Sequence, residues 1–545
     1  MIFMSIGLLT TLHIKAKELT GKLINEQGQG IANAHVSLGS LTTQTNNNGE
    51  FKLEGKDEQI FSLAISKDNF YSVVQTFSAA ELGKTRDLNA LSIGPITLVA
   101  KSQHRTMFAF GGDVMLGRRF SKPYFGNDVL ISPKSIEQDI ETIVSQMKPY
   151  LELADYSVVN LESQIAASQP AQRAPKSVTF YSPPETLAAL SWAGVDYVTL
   201  GNNHTFDYID SGLQSTLEFL DQSRLGYSGA GVNESAALTP HIAELANSKY
   251  AMLGYVGWEG SATPTQTAAK NKGGAAHGSM SNILKSVADG VARGYHPIVQ
   301  YHGSMEYSDE PTGVTEQRLK SAIDAGAVMA IAHHPHVAQG FELYKNKLIA
   351  YSMGNFIFDQ FFYSTPHSFV LYVWMDGAKF HRAEVVPIYL QGYQPTPATA
   401  ANRYTTLKRL NTLSKQRNLR LASSGGHGVI LAVSNEPVNK RIEISKTLDN
   451  KKLASMFDLP WQTELNNISV PKNVPYRLGV SLTNGGDFET FNSFDSHERG
   501  WLIEAQNYQL KNDNNNQVLE LETAKESTWF GMQNFRRVFK PLGFK

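Results

Sequence analysis

The sequence predicts an α/β domain flanked by two smaller β-rich segments. Three observations carry this reading. The chain has 545 residues, beyond the roughly 250–300 that one hydrophobic core serves. From about Thr106 onward, apolar runs of strand length alternate with stretches of helical period, the mark of the α/β class. Before Val99 and after about Thr447, short alternating runs are divided by turn residues instead, which is an all-β pattern.

Composition removes several function classes. The formal net charge is -1, so there is no electrostatic reason to expect nucleic acid as a partner. There is no cysteine. Disulfides and thiolate metal sites are excluded, and any metal must sit among His, Asp, Glu and Asn.

Residues 1–17 hold a short apolar run, Ile2 to Leu12. It is too short to span a bilayer and lacks a basic leader. It reads as a signal peptide, with a hydrophobic first strand as the alternative. Residues 18–100 carry turn signals at Gly28-Gln29-Gly30, Asn46-Asn47-Asn48-Gly49 and Lys67-Asp68-Asn69, and we assign them no chemistry.

The central region, residues 104–450, opens with a strand at Met107–Phe110 that runs into Gly111-Gly112-Asp113. Ser135–Lys148 reads as a helix, with Ile136, Ile140, Ile143, Val144 and Met147 on one face. A strand at Tyr156–Leu161 ends on Glu162. A helix at Pro184–Ala193 leads to the strand Val195–Leu200, which stops at Gly201 before Asn202, Asn203, His204 and Asp207. Leu213, Leu217 and Leu220 mark the next helix. Further strands are expected at Tyr250–Val256, His296–Tyr301, Ala327–Ala332 and Leu348–Ser352. Helices at Ser279–Arg293 and Val314–Ala325 lie between them. Gly260–Gly274 is polar and aperiodic, a surface loop over the site. Phe369–Met375 and Phe380–Leu390 read as an antiparallel pair. A helix with Leu407, Leu410 and Leu413 follows, then a last hairpin of Val429–Val433 and Arg441–Ser445. Residues 475–545 form a β-rich tail with strands near Trp501, Val518–Leu521 and Trp529.

Five polar clusters fall where strands end: Asp113; Asn160-Leu161-Glu162; Asn203-His204 with Asp207; His302 with Glu306; and His333-His334-Pro335-His336, shortly before Asn355 and Asp359. Each alone is commonplace, a capped turn or a core histidine. Together they bring carboxylates, an amide and several imidazoles to one sheet edge, where open α/β sheets bind ligands. That set suits a hydrolytic centre of two divalent ions. Glu162 or Asp113 supplies the bridging carboxylate, and imidazoles suit Zn, Fe or Mn. His204 is placed for general acid catalysis, with Asp207 to orient it.

Two resemblances follow from these residues. Gly21, Leu23, Gly30, Ile31, Ala34, Val36, Thr45, Gly49 and Phe51 resemble the carboxypeptidase-regulatory-like domain, which implies an N-terminal β-sandwich typical of exported proteins. The series FGGDVMLGR, VVNLES, VDYVTLGNNHTFDY, YHGSMEY, AHHPHVAQG and YSMGNFIFD resembles the poly-γ-glutamate synthesis protein CapA family. That family in turn resembles calcineurin-like metallophosphoesterases and implies a four-layer αββα sandwich. Residue by residue it implies Asp113, Glu162, Asn203, His302, His334 and His336 as metal ligands, for one or two divalent ions. Met115 stands where metallophosphoesterases usually carry a ligand His, which implies one nitrogen ligand fewer. Gly303-Ser304-Met305 stands where the family usually has Trp and Gly. The tail is similar to the opening of carbohydrate-binding-like modules.

The sequence therefore predicts an exported, metal-dependent hydrolase of the periplasm or cell surface. Its substrate is a phosphoester or an anionic polymer such as poly-γ-glutamate, with an envelope polysaccharide as a further partner. Membrane association comes only through export machinery or a capsule-assembly complex. His204 and Asp207 are the expected catalytic pair, and Arg118 and Asn355 the expected substrate contacts. The rival expectation is a non-catalytic polymer-binding or capsule-assembly protein on the same fold.

Overall fold

A computed structural model describes residues 17–55, 60–79, 82–84, 90–123, 128–360 and 364–432, with four short strands between residues 501 and 532. The expected signal peptide, the strand Arg441–Ser445 and Trp529 lie outside the described residues. The chain divides into two compact units, Met1–Lys101 and Ser102–Lys545.

In the first unit a five-stranded and a four-stranded sheet share one apolar core, with Leu19, Leu23 and Phe51 from one and Val36, Leu63 and Ile65 from the other. Thr45 explains its place in the sequence pattern. Its buried hydroxyl donates to Ile31 O at 2.6 Å and accepts from Ala34 N at 2.9 Å, pinning two turns together.

The second unit is mixed α/β. Among the described residues, ten strands form its larger sheet, in the order Gly226–Ser228, Tyr197–Thr199, Tyr156–Leu161, Arg105–Val114, His367–Asp376, Lys379–Gln391, His427–Leu431 and Ala422–Ser424, with Asn355–Ile357 and Gln394–Pro397 paired alongside. The first four run parallel, Asn355–Ile357 adds parallel to Arg105–Val114, and the rest add antiparallel. The smaller sheet has six strands, in the order His241–Leu245, Ser248–Val256, His296–His302, Met329–His333, Lys347–Ala350 and Phe341–Tyr344. Its middle four are parallel. The inner faces of both sheets enter one core, with Phe108, Val158 and Leu371 against Met252, Ile298 and Ile331. The helices Met280–Ala292 and Gly313–Asp324 cover the smaller sheet's other face through Ile283, Val287 and Leu319, which pack with Leu253, Val299 and Tyr301. No helix among the described residues is long and apolar enough to cross a membrane.

The central strands and helices lie within a few residues of their expected positions. Two features bear on the site. The first strand does not stop at Gly111; it runs on to Val114 with a register shift between Phe110 and Asp113, so Asp113 is a strand residue. A Cβ on Gly112 would stand 1.9 Å from Gly354 O, so only glycine lets Asn355–Ile357 close against this strand. His427–Leu431 pairs with Ala422–Ser424 and Lys379–Gln391; its expected partner, Arg441–Ser445, lies outside the described residues. In the tail, Trp501–Ile503 pairs with Phe530–Met532 and Tyr508–Asp513 with Asn516–Leu521.

Candidate metal centre

The site forms where the carboxyl ends of the parallel strands of both sheets meet. The larger sheet brings Asp113, Glu162 and the Asn203–Asp207 loop; the smaller brings His302 and the 333–336 turn. All are buried. His334 and His336 have φ values of 96° and 57°, a left-handed conformation that costs energy for any side chain with a Cβ. The strained turn aims both imidazoles into the same space.

Two overlapping ligand groups result. Glu162, His302 and His334 form one; Asp113, Glu162 and His336 form the other. Glu162 belongs to both. Its Oε1 lies 3.5 Å from His302 Nε2 and 3.8 Å from His336 Nε2. The amide oxygen of Asn203 is 2.6 Å from His302 Nε2, and His334 Nδ1 is 3.1 Å from the same nitrogen. In the second group Asp113 Oδ2 lies 3.3 Å from His336 Nδ1.

Glu162 itself shows that the residues fit a cation. It is fully buried, and neither of its carboxylate oxygens takes a hydrogen bond from any described residue. A buried carboxylate without partners is costly. Burial and then the Asp113 carboxylate push Glu162 well above the usual carboxylate range. Burial also works to raise Asp113, but His333 and His336 outweigh it and hold it well below its ordinary value. Burial favours the neutral form of His302 and His334. It takes His334 down to about 3, helped by His336, and with His334 it moves His302 well below its ordinary value. Neutral nitrogens and uncompensated carboxylate oxygens in one cavity are the donor set of a divalent metal site.

Beside the ligand groups, His204 Nδ1 lies 2.6 Å from Asp207 Oδ2, and its Nε2 faces Glu162 Oε1 at 3.7 Å. Burial pushes His204 down to about 4, against the pull of Asp207. Asn355 stands behind a ligand: its Oδ1 is 2.9 Å from His336 Nδ1 and its Nδ2 donates to Gln360. Arg118 grips Asp359 with Nε at 2.9 Å and a second, very short contact from Nη2, and it lies over the Phe180 ring at 4.5 Å. Asp359, which the sequence places just after the fifth polar cluster, is fully buried in this pair. Glu306 is exposed at the rim.

Sequence reasoning gave no role to several residues. Asn160 donates to Asp113 Oδ1 at 2.8 Å and accepts from Asn202 at 3.1 Å; Asn202 in turn accepts from His204 N at 3.0 Å. These amides stiffen the ligands from behind, as metal sites require. Trp258 lies 4.6 Å from the His334 ring. It stands two residues past the end of the strand Ser248–Val256, a position that could have singled it out. Lys176 sits in an aperiodic stretch with no such signal.

A mixed α/β domain with a carboxylate-bridged histidine cluster at the strand ends defines a protein with a candidate divalent-metal centre. Residues 107–360 match the bacterial capsule synthesis protein family PGA_cap, and over this region the chain is similar to proteins of the CapA type. It is 28% identical over 298 residues to the capsule biosynthesis protein CapA of Bacillus anthracis, covering 53% of this chain and 69% of that one. It is 26% identical over 290 residues to the PGA biosynthesis protein CapA of Bacillus subtilis, covering 53% and 73%. A probable polyglutamine synthesis accessory protein of Mycobacterium tuberculosis is 26% identical over 275 residues, covering 48% and 68%.

Proposed function

We propose that this protein is a metal-dependent hydrolase of capsule or poly-γ-glutamate biosynthesis, exported to the cell envelope and built on a four-layer αββα metallophosphoesterase-like sandwich. Its substrate is a phosphoester or an anionic envelope polymer. The observation that carries the reading is Glu162, one unpartnered buried carboxylate shared by two ligand groups. Asp113, Glu162, Asn203, His302, His334 and His336 hold the metal, which when bound supplies Lewis acidity to the oxygen of the bond being broken. Within this reading the chain's own residues do the rest. His204 moves the proton, Asp207 holds its imidazole, and Trp258 shields the cavity from water. Arg118 steadies the Asp359 turn, and Asn355 fixes His336. The N-terminal unit, as a carboxypeptidase-regulatory-like module, holds the enzyme near envelope polymer.

The test is hydrolysis of bis(4-nitrophenyl) phosphate and of poly-γ-glutamate by wild type and His204→Ala, with metal content measured on both. Turnover by wild type, and its loss in His204→Ala at unchanged metal content, supports the reading. Absence of turnover on both substrates by metal-loaded wild type contradicts it.

One observation favours a non-catalytic polymer-binding role. Met115 is buried where the metallophosphoesterase pattern has a nitrogen ligand, and its Sδ accepts from Gly117 N at 3.0 Å. Metal-loaded wild type that binds poly-γ-glutamate without cleaving it is the outcome this role predicts.

A further inference from the structure

We propose that residues 174–180 form a clasp that positions His204, with Lys176 and Phe180 as positioning residues that fix the Asp207 carboxylate and the plane of the imidazole. What the held imidazole does rests on the hydrolase reading; the holding itself is geometric.

Asp207 is fully buried and is gripped on both oxygens. Lys176 Nζ donates to Oδ1 at 2.5 Å. The Phe180 main-chain N–H donates to Oδ2 at 2.6 Å, the oxygen that also faces His204 Nδ1 at 2.6 Å. The Asp207 carbonyl accepts from Ala174 N at 2.8 Å. Lys176 reaches a second point, the Asn203 carbonyl, at 2.6 Å. The clasp thus ties the first and last residues of the loop that carries His204.

A single hydrogen bond at Nδ1 leaves an imidazole free to tilt about that bond. The Phe180 ring removes this freedom, since it stacks on the His204 ring with centroids 3.9 Å apart and planes 25° apart. Arg118 rests on the same Phe180 ring, so the stack is held from beyond. A lysine ammonium beside a buried carboxylate satisfies charge and lone pairs together. With both oxygens occupied, the carboxylate cannot rotate away from His204. The same segment supplies the ammonium, the main-chain donor and the stacking ring.

The test uses the full-length protein with 15N-labelled histidine. The His204 Nδ1 proton, held in a short bond to Asp207, is expected as a far-downfield, slowly exchanging NMR signal that disappears in His204→Gln. In Lys176→Met and in Phe180→Leu the signal should move upfield or broaden away while metal content stays at the wild-type level. Phe180→Tyr should restore it. Turnover of bis(4-nitrophenyl) phosphate should fall about 10- to 100-fold in kcat with KM unchanged. If Lys176→Met does not fold, Lys176→Gln and Phe180→Leu carry the same comparison. The clasp is overturned if wild type lacks the signal, or if Lys176→Met and Phe180→Leu leave it unchanged. It is also overturned if metal is lost along with the signal, because the whole loop has then collapsed. A signal that behaves as expected in a protein without turnover keeps the clasp and sinks the hydrolase reading, so the two failures are distinct.

Discussion

His204 Nδ1 lies 2.6 Å from Asp207 Oδ2, and no candidate metal ligand intervenes. The dyad stands beside the ligand groups and is not a member of either. Asp207→Asn should therefore leave bound metal unchanged and lower kcat by about 10- to 100-fold, the usual cost of losing an outer-shell partner. Elemental analysis and steady-state kinetics on the same preparation check this.

Asp359 is fully buried between the guanidinium of Arg118 and the main chain of Arg119. Removing one partner of a buried pair is strongly destabilising. Asp359→Ala should cost about 3 kcal/mol in urea unfolding, the lower end of that range, because the Arg118 side chain keeps 29% exposure. Arg118→Ala should likewise lower stability. Had Arg118 been a substrate contact alone, its loss would raise KM and leave unfolding untouched, so the two measurements separate the roles.

Gly201 lies between the strand Tyr197–Thr199 and the Asn203–Asp207 loop, and a Cβ there would stand 2.2 Å from Tyr255 N in the smaller sheet. The obstacle is backbone, which cannot swing aside. Gly201→Ala should destabilise the protein by about 1–3 kcal/mol and weaken metal binding as well, because the two sheets can no longer bring Asn203 and His302 together. Unfolding and metal titration of this variant test both effects.

His367 is buried away from the ligand groups, and burial, with Arg409 adding, pushes it down to about 4. In the unfolded chain it takes up its proton near 6.5. The unfolded state therefore binds more protons across this window. The stabilisation is fully present above pH 6.5 and is lost as pH falls toward 4. The loss amounts to about 3 kcal/mol at most. His367→Leu should flatten the decline of stability between pH 6.5 and 4 relative to wild type, as measured by unfolding at several pH values.

Much of this site was legible because strand ends leave a signature. Apolar runs that stop on Asp113, Glu162, His302 and the His334–His336 turn announce both the sheets and their functional edge. What could not be read depends on the third dimension. Glycine at 112 looks like a strand terminator in sequence, whereas its actual service is to admit the backbone of Gly354. Asn355 and Arg118 carry groups suited to a substrate, and their partners, His336 and Asp359, lie 19 and 241 residues away in the chain. Lys176 reaches Asp207 from an aperiodic segment 31 residues upstream, and no periodicity marks it. Edge strands such as Phe341–Tyr344 escaped notice because short half-buried runs lack a clear period.

Glu162 serves two ligand groups at once. Metal content of the purified full-length protein, wild type beside Glu162→Gln, His334→Ala and His336→Ala, tests it most directly. Bound divalent metal is expected in wild type, reduced content in each histidine variant, and little or none in Glu162→Gln. Wild type that stays metal-free after incubation with Mn, Zn or Fe, or Glu162→Gln that binds as wild type does, would contradict it.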